Sequence, residues 1–267
     1  MIFLKTPEEV EKLRKSCLLV SETIAAVGAL IRPGITTLEL DRRAETFIRD
    51  HGAEPAFLNY KGFPNTLCTS VNDAVVHGVP NERPLQEGDI ISVDCGVKWN
   101  GWYGDSAYTF SVGAIPTRVK QLMADTKASL LLGIAMAVPG KRIGDLAFAI
   151  QEYCEKQHGY GVVRELVGHG IGKKLHEEPE VPNFGRRGQG IKFVPGMVIA
   201  VEPMINLGKR QVYTSDQDGW TIYTDDHQPS AHFEHTICVT SGEPDLLTTF
   251  APIESAIRKN PVLQDSI

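Results

Sequence analysis

Two runs along the chain alternate apolar and other residues with the period of a β-strand and end in an acid. Gly88–Gly96 reads GDIISVDCG and Gly196–Met204 reads GMVIAVEPM; both hold branched residues, and both predict strands. Ile90, Ser92 and Asp94 then share one face, as do Val198, Ala200 and Glu202. The first run leads into Asn100-Gly101, the dipeptide that best specifies a two-residue type I′ hairpin turn because both central residues need positive φ. That turn sets Trp99 opposite Trp102 and Gly96 opposite Asp105. Asp94 and Asp105 fall on one face, one diagonal step apart, at roughly 7–8 Å.

Helical periodicity fills the intervening stretches. Thr6, Pro7 and Glu9 form a capping-box start for a helix reaching about Leu30, before Arg32-Pro33-Gly34. A second helix is predicted from about Thr37 to His51, closed by Gly52. Two more cover about Thr117–Ala137 and Ile143–His158. The order helix, helix, strands occurs twice, which predicts an α/β (α+β) chain forming one domain over 1–267, with related halves at about 1–112 and 113–250 and a short tail, 251–267, without a functional reading.

A carboxylate in a buried strand costs stability unless its charge is compensated, and two unpaired carboxylates close together raise one pKa. Finding the arrangement twice points to a metal. The second half supplies Glu202 and, within the alternating run SAHFEHTICVT, Glu234; between the halves lies VGHGIGKKLHEEP, with His169 among glycines and His176 seven residues on. Two Asp, two Glu and one His suit Mn, Fe, Co or Zn as divalent ions. Four carboxylates offset the charge of two such ions rather than one. Two ions about 3.5–4 Å apart would hold a hydroxide between them. Structural zinc would want thiolates at short spacing. His235 alternates to the face opposite Glu234, and His51, His232 and His235 read as structural.

Asp94, Asp105, His169, Glu202 and Glu234 in this order, with His77-Gly78, the GHGIG loop and the VEP and FEH segments, resemble the type I methionine aminopeptidases of the pita-bread fold. The resemblance runs from Thr6-Pro7-Glu8-Glu9 to about Leu247. It implies an antiparallel sheet covered by helices in two pseudo-symmetric halves, and those five residues as ligands of two divalent ions. The implied activity is removal of the initiator methionine from nascent chains, favouring a small second residue, through a metal-bridging hydroxide. Glu202 would accept the water's proton, His176 would stabilise the oxyanion or relay a proton, and His77 would contact the peptide group beyond the scissile bond. The methionine pocket maps to Tyr60, Phe63, Cys68, His77, Leu175, His176 and Trp220. Phe57 and Lys61 depart from the bacterial members, which often carry smaller or imidazole residues there. Prolidase and aminopeptidase P enzymes share the ligand types but place a domain before the catalytic one, and only 93 residues precede Asp94 here. A non-enzymatic pita-bread binding protein is the alternative of a different class; such relatives are expected to have lost ligands.

Composition narrows the setting. At 267 residues and 42% hydrophobic content the chain can bury a sizeable core, and its net charge of -6 argues against a nucleic acid as substrate. Five cysteines without a CxxC pair argue against a disulfide framework. MIFLKTPEEV lacks the apolar run of a signal peptide, and no stretch approaches membrane-spanning length. A reduced, cytoplasmic monomer is expected, with a transient ribosome contact fitting an enzyme of nascent chains.

Overall fold

The computed structural model describes residues 1–266. Helix α1 (Pro7–Gly28) begins with the predicted reciprocal cap between Thr6 and Glu9. It buries Val10, Leu13, Cys17, Val20, Ile24 and Val27, a three-and-four spacing that makes one apolar stripe. That stripe lies across the long hairpin of strands Ile90–Trp99 and Trp102–Ser111. The hairpin register is the one the turn dictates: Trp99 pairs with Trp102, Gly96 with Asp105 and Asp94 with Ala107. Asn100 and Gly101 have φ of 49° and 78°, as a type I′ turn requires. Helix α2 (Thr37–Asp50) packs beside α1, capped by Thr36 and Glu39.

The second half repeats the order. Helices α3 (Thr117–Ile134) and α4 (Ile143–Gln151) precede a sheet in which Asp245–Leu246, His235–Cys238, Val198–Val201, Gly168–Gly170 and Glu177–Val181 lie side by side. Two details differ from the sequence expectation. The helix expected to His158 changes at Glu152 into a π-helical segment, Glu152–Gln157, a wider turn from which the Tyr153 hydroxyl donates to Asp125 on α3. The second acidic strand stops at Val201, because Pro203 has no N–H for the ladder, and pairing resumes between Met204–Asn206 and Ser230–His232.

The halves meet through the partners of the two acidic strands. Ser106 Oγ donates to the Glu234 carbonyl at 2.7 Å, Thr236 Oγ1 donates to the Asp105 carbonyl at 2.8 Å, and the Glu234 N–H donates to the Ala107 carbonyl at 3.0 Å. Asp105 and Glu234 are thereby fixed side by side by backbone bonds that do not use their carboxylates. The tail gains a structural account. Helix α5 (Ala251–Lys259) and the segment Pro261–Ser266 bury Ile253, Ile257 and Leu263, and Ser266 Oγ accepts from the Ser111 N–H at 2.8 Å. Among the described residues all five cysteines are buried free thiols, and no helix is long and apolar enough to cross a membrane.

Candidate active site and metal centre

One cavity of about 230 Å³ is lined by Asp94, Asp105, His169, Glu202 and Glu234 at one end and by Tyr60, Phe63, Cys68, His77, Leu175, His176 and Trp220 around the rest, with Phe57 and Lys61 also on its wall. Every residue singled out as a ligand, catalytic group or pocket wall from sequence reaches this one space. Donor atoms of Asp105, His169 and Glu234 lie within 4.8 Å of one another, and His169 Nε2 is 3.7 Å from Glu202 Oε1 and 3.9 Å from Asp105 Oδ2.

The local folding explains each placement. Asp94 and Asp105 come from facing strands of the hairpin. Glu202 follows directly on Val198–Val201 and is held through its backbone: the Asn183 side-chain amide, fully buried, donates to the Glu202 carbonyl at 3.0 Å. His77 has φ of 58°, a left-handed conformation that costs a non-glycine residue of order 1–3 kcal/mol and persists where surroundings over-determine it. Those surroundings include Gly78, whose carbonyl accepts from Thr69 N–H at 2.8 Å and whose Cβ, if present, would overlap the Thr69 carbonyl. Trp220 arrives on a loop anchored by the Ile222–Thr224 strand, which pairs with Ala74–Val76 just before His77; its ring meets Phe63 edge-on at 5.3 Å.

Charge defines the deep end. Burial pushes Asp94 up to about 7. Burial, then the neighbouring carboxylates, pushes Asp105, Glu202 and Glu234 well above the usual range. Burial lowers His169 to about 4, so its ring is neutral. His169 Nδ1–H donates to the Gly170 carbonyl at 2.9 Å, which leaves the Nε2 lone pair facing the acids. Burial likewise keeps Cys68 a neutral thiol, suited to an apolar wall.

His232 belongs in this neighbourhood too. Read as structural from sequence, it is buried with neither ring nitrogen hydrogen-bonded, and its Nε2 is 3.8 Å from Glu202 Oε2. The signal was present: His232 stands two residues before Glu234, on the same side of an alternating run. His235, on the opposite face, bonds Thr248 Oγ1 through Nδ1 at 2.7 Å and stacks on Phe250, and His51 bonds its own helix at Phe47.

The profile of metallopeptidase family M24 matches residues 11–241. The chain belongs to this family. The methionine aminopeptidase of Clostridium acetobutylicum is 48% identical over 249 residues, covering 93% of this chain and 99% of that protein. The crystal structure of the methionine aminopeptidase from Rickettsia prowazekii superposes with a TM-score of 0.92 at 42% identity, over 93% of this chain and all of that one. The chain therefore has the M24 pita-bread fold. The prolidase of Pyrococcus horikoshii superposes with a TM-score of 0.75 at 22% identity, and this chain spans 63% of it; that likeness shows a shared fold alone.

Membership of M24 implies metal ions, and the cluster fits them. Asp94 Oδ1, Asp105 Oδ1 and Glu234 Oε1 are buried without a hydrogen-bond partner, which is costly for a carboxylate unless a cation answers it. Asn183→Ala should leave the Glu202 carbonyl unpaired, costing about 1–3 kcal/mol of stability and about tenfold in metal affinity. Thermal denaturation and metal titration by calorimetry check both; unchanged affinity would show that Asn183 does not position Glu202.

Proposed function

We propose that this M24 metallopeptidase removes N-terminal methionine from polypeptides with a small second residue, with two divalent ions held by Asp94, Asp105, His169, Glu202 and Glu234. The observation that carries the reading is the convergence of those five donors with an apolar wall in one cavity. Divalent ions bound there supply Lewis-acid polarisation of a carbonyl and lower the pKa of water.

The chain's own groups then divide the work. Phe63, Cys68, Leu175 and Trp220 offer an apolar surface to an unbranched thioether, which favours aromatic edges and soft sulfur. Glu202 accepts the proton of the attacking water. His176 Nδ1 is 2.8 Å from the Tyr60 hydroxyl; with that hydroxyl donating, Nε2–H is free to donate to the oxygen that gains charge. Partial desolvation of the ring, then its neighbours His169, Lys61 and His77, hold His176 below the ordinary histidine value, so it acts as a neutral donor. His77 contacts the peptide group beyond the scissile bond. The substrates in this reading are the N-termini of new cytoplasmic polypeptides, with the ribosome as a transient contact.

Release of methionine from Met-Ala-Ser by metal-stripped protein, titrated separately with Mn(II), Co(II), Fe(II) and Zn(II), tests the chemistry; no release with any ion from folded protein would favour a non-enzymatic binding role. A panel of Met-Ala, Met-Gly and Met-Leu peptides tests the selectivity. Met-Leu should be cleaved about 10²-fold more slowly, the scale on which a site discriminates by a few methylenes. Equal rates, or faster cleavage of Xaa-Pro, would sink it.

A further inference from the structure

The loop that presents Leu175 and His176 to the cavity is tied down from outside the site. Lys5 Nζ lies 2.6 Å from Glu177 Oε2, with the two side chains 5% and 6% exposed. The same ammonium donates to the Phe3 carbonyl at 2.9 Å, and the Lys5 N–H donates to the Gly196 carbonyl at 2.8 Å, which fixes Lys5 against the sheet that holds Glu202. Glu177 Oε1 accepts from the Lys174 N–H at 3.1 Å, closing the loop on itself. The loop's other end is held by the Tyr103 N–H on the Gly172 carbonyl at 2.9 Å.

A buried ion pair is a poor source of stability, since well-packed apolar residues serve as well or better, whereas removing one partner strands a charge. What it supplies is a fixed distance. The residue it fixes is next in sequence to His176, and Lys5 precedes the stretch, 11–241, matched by the family profile.

We infer that the Lys5–Glu177 pair is a positioning device for His176: the N-terminal segment, through one buried salt bridge, sets the imidazole against Tyr60 and the cavity. This rests on the role given to His176 above. Neither residue touches the cavity, so both act through the loop.

The test is a cycle of variants in the full chain. Lys5→Met alone strands Glu177 and should lower Tm by about 10 °C. Lys5→Met/Glu177→Met removes both charges and should recover most of that Tm, while kcat on Met-Ala-Ser stays about tenfold down. In a His176→Asn background the same pair of changes should cost less than about twofold, because what they position is already gone. Histidine-selective NMR of the metal-free protein should show the His176 ring resonances shifted or broadened in the double variant, with His51 unmoved. Glu177→Gln in both backgrounds repeats the cycle without new bulk. Full kcat in the double variant, or an equal loss with and without His176, would overturn the inference. Failure of the unmodified protein to release methionine would instead overturn the proposed function.

Discussion

Asp105→Asn should abolish turnover without unfolding the protein. The carboxylate is 4% exposed, one of its oxygens has no partner, and its neighbours at the deep end are acids. Burial first, then Glu234 and Asp94, drive its pKa well up, so with no cation present the charged form is the strained one. An amide has nearly the same shape and no charge to desolvate. The bond that holds the position, from Thr236 Oγ1 to the Asp105 carbonyl, and the hairpin register that sets Asp105 opposite Gly96 are untouched. The expected result is a loss of about 10³-fold in kcat/KM, the scale set by removing a preorganised group that answers developing charge. The metal-free variant should melt no lower than metal-free wild type. Retained turnover would show that Asp105 is not a ligand, and a drop in Tm of many degrees would show that its role is structural.

What was legible in the sequence was local. The Asn100-Gly101 turn fixed the hairpin register, because a two-residue loop leaves one pairing, and with it the common face of Asp94 and Asp105. Thr6 with Glu9 marked the start of α1 in the same way. The second half was less legible. Its acidic run looks like a copy of the first, yet Pro203 breaks the ladder after Glu202 and hands the carbonyl of that residue to Asn183, nineteen positions upstream. Nor does any local pattern announce that Ile222 pairs with Val76, the contact that brings Trp220 to His77. The Ser106 and Thr236 bonds between the halves, and the docking of Ser266 on Ser111, likewise join residues more than 100 positions apart. His232 was missed for a different reason: a histidine two residues from the ligand Glu234 in an apolar run reads as packing until its 3.8 Å distance to Glu202 is known.

The same buried acids make the stability of the metal-free protein depend on pH in an unusual direction. An ordinary carboxylate in a folded protein is stabilised when ionised, and its contribution is lost as pH falls. Here the sign is reversed. Asp94 is raised to about 7, and Asp105, Glu202 and Glu234 lie well above their ordinary values, so these acids hold protons in the folded chain that the unfolded one has lost. Desolvation of His77, His169, His176, His232 and His235 acts in the opposite sense, but only up to the ordinary histidine value near 6.5, so above it the acids alone set the balance. Above about pH 6.5 stability must then fall as pH rises, by roughly 1.4 kcal/mol per pH unit for each acid that is protonated folded and ionised unfolded. For Asp94 the loss is complete once the pH has passed about 7; for the other three it continues higher. Chelated protein should therefore melt several degrees lower at pH 8 than at pH 6.5. Saturating Mn(II) should cancel the slope or invert it, because ligation requires the ionised acids and its affinity grows as they lose protons. Calorimetry of Mn(II) binding at pH 7 in buffers of different ionisation enthalpy should accordingly show net proton release. A pH-independent Tm in the chelated protein, together with metal binding that releases no protons, would mean that the four carboxylates are already ionised and paired with something other than a metal.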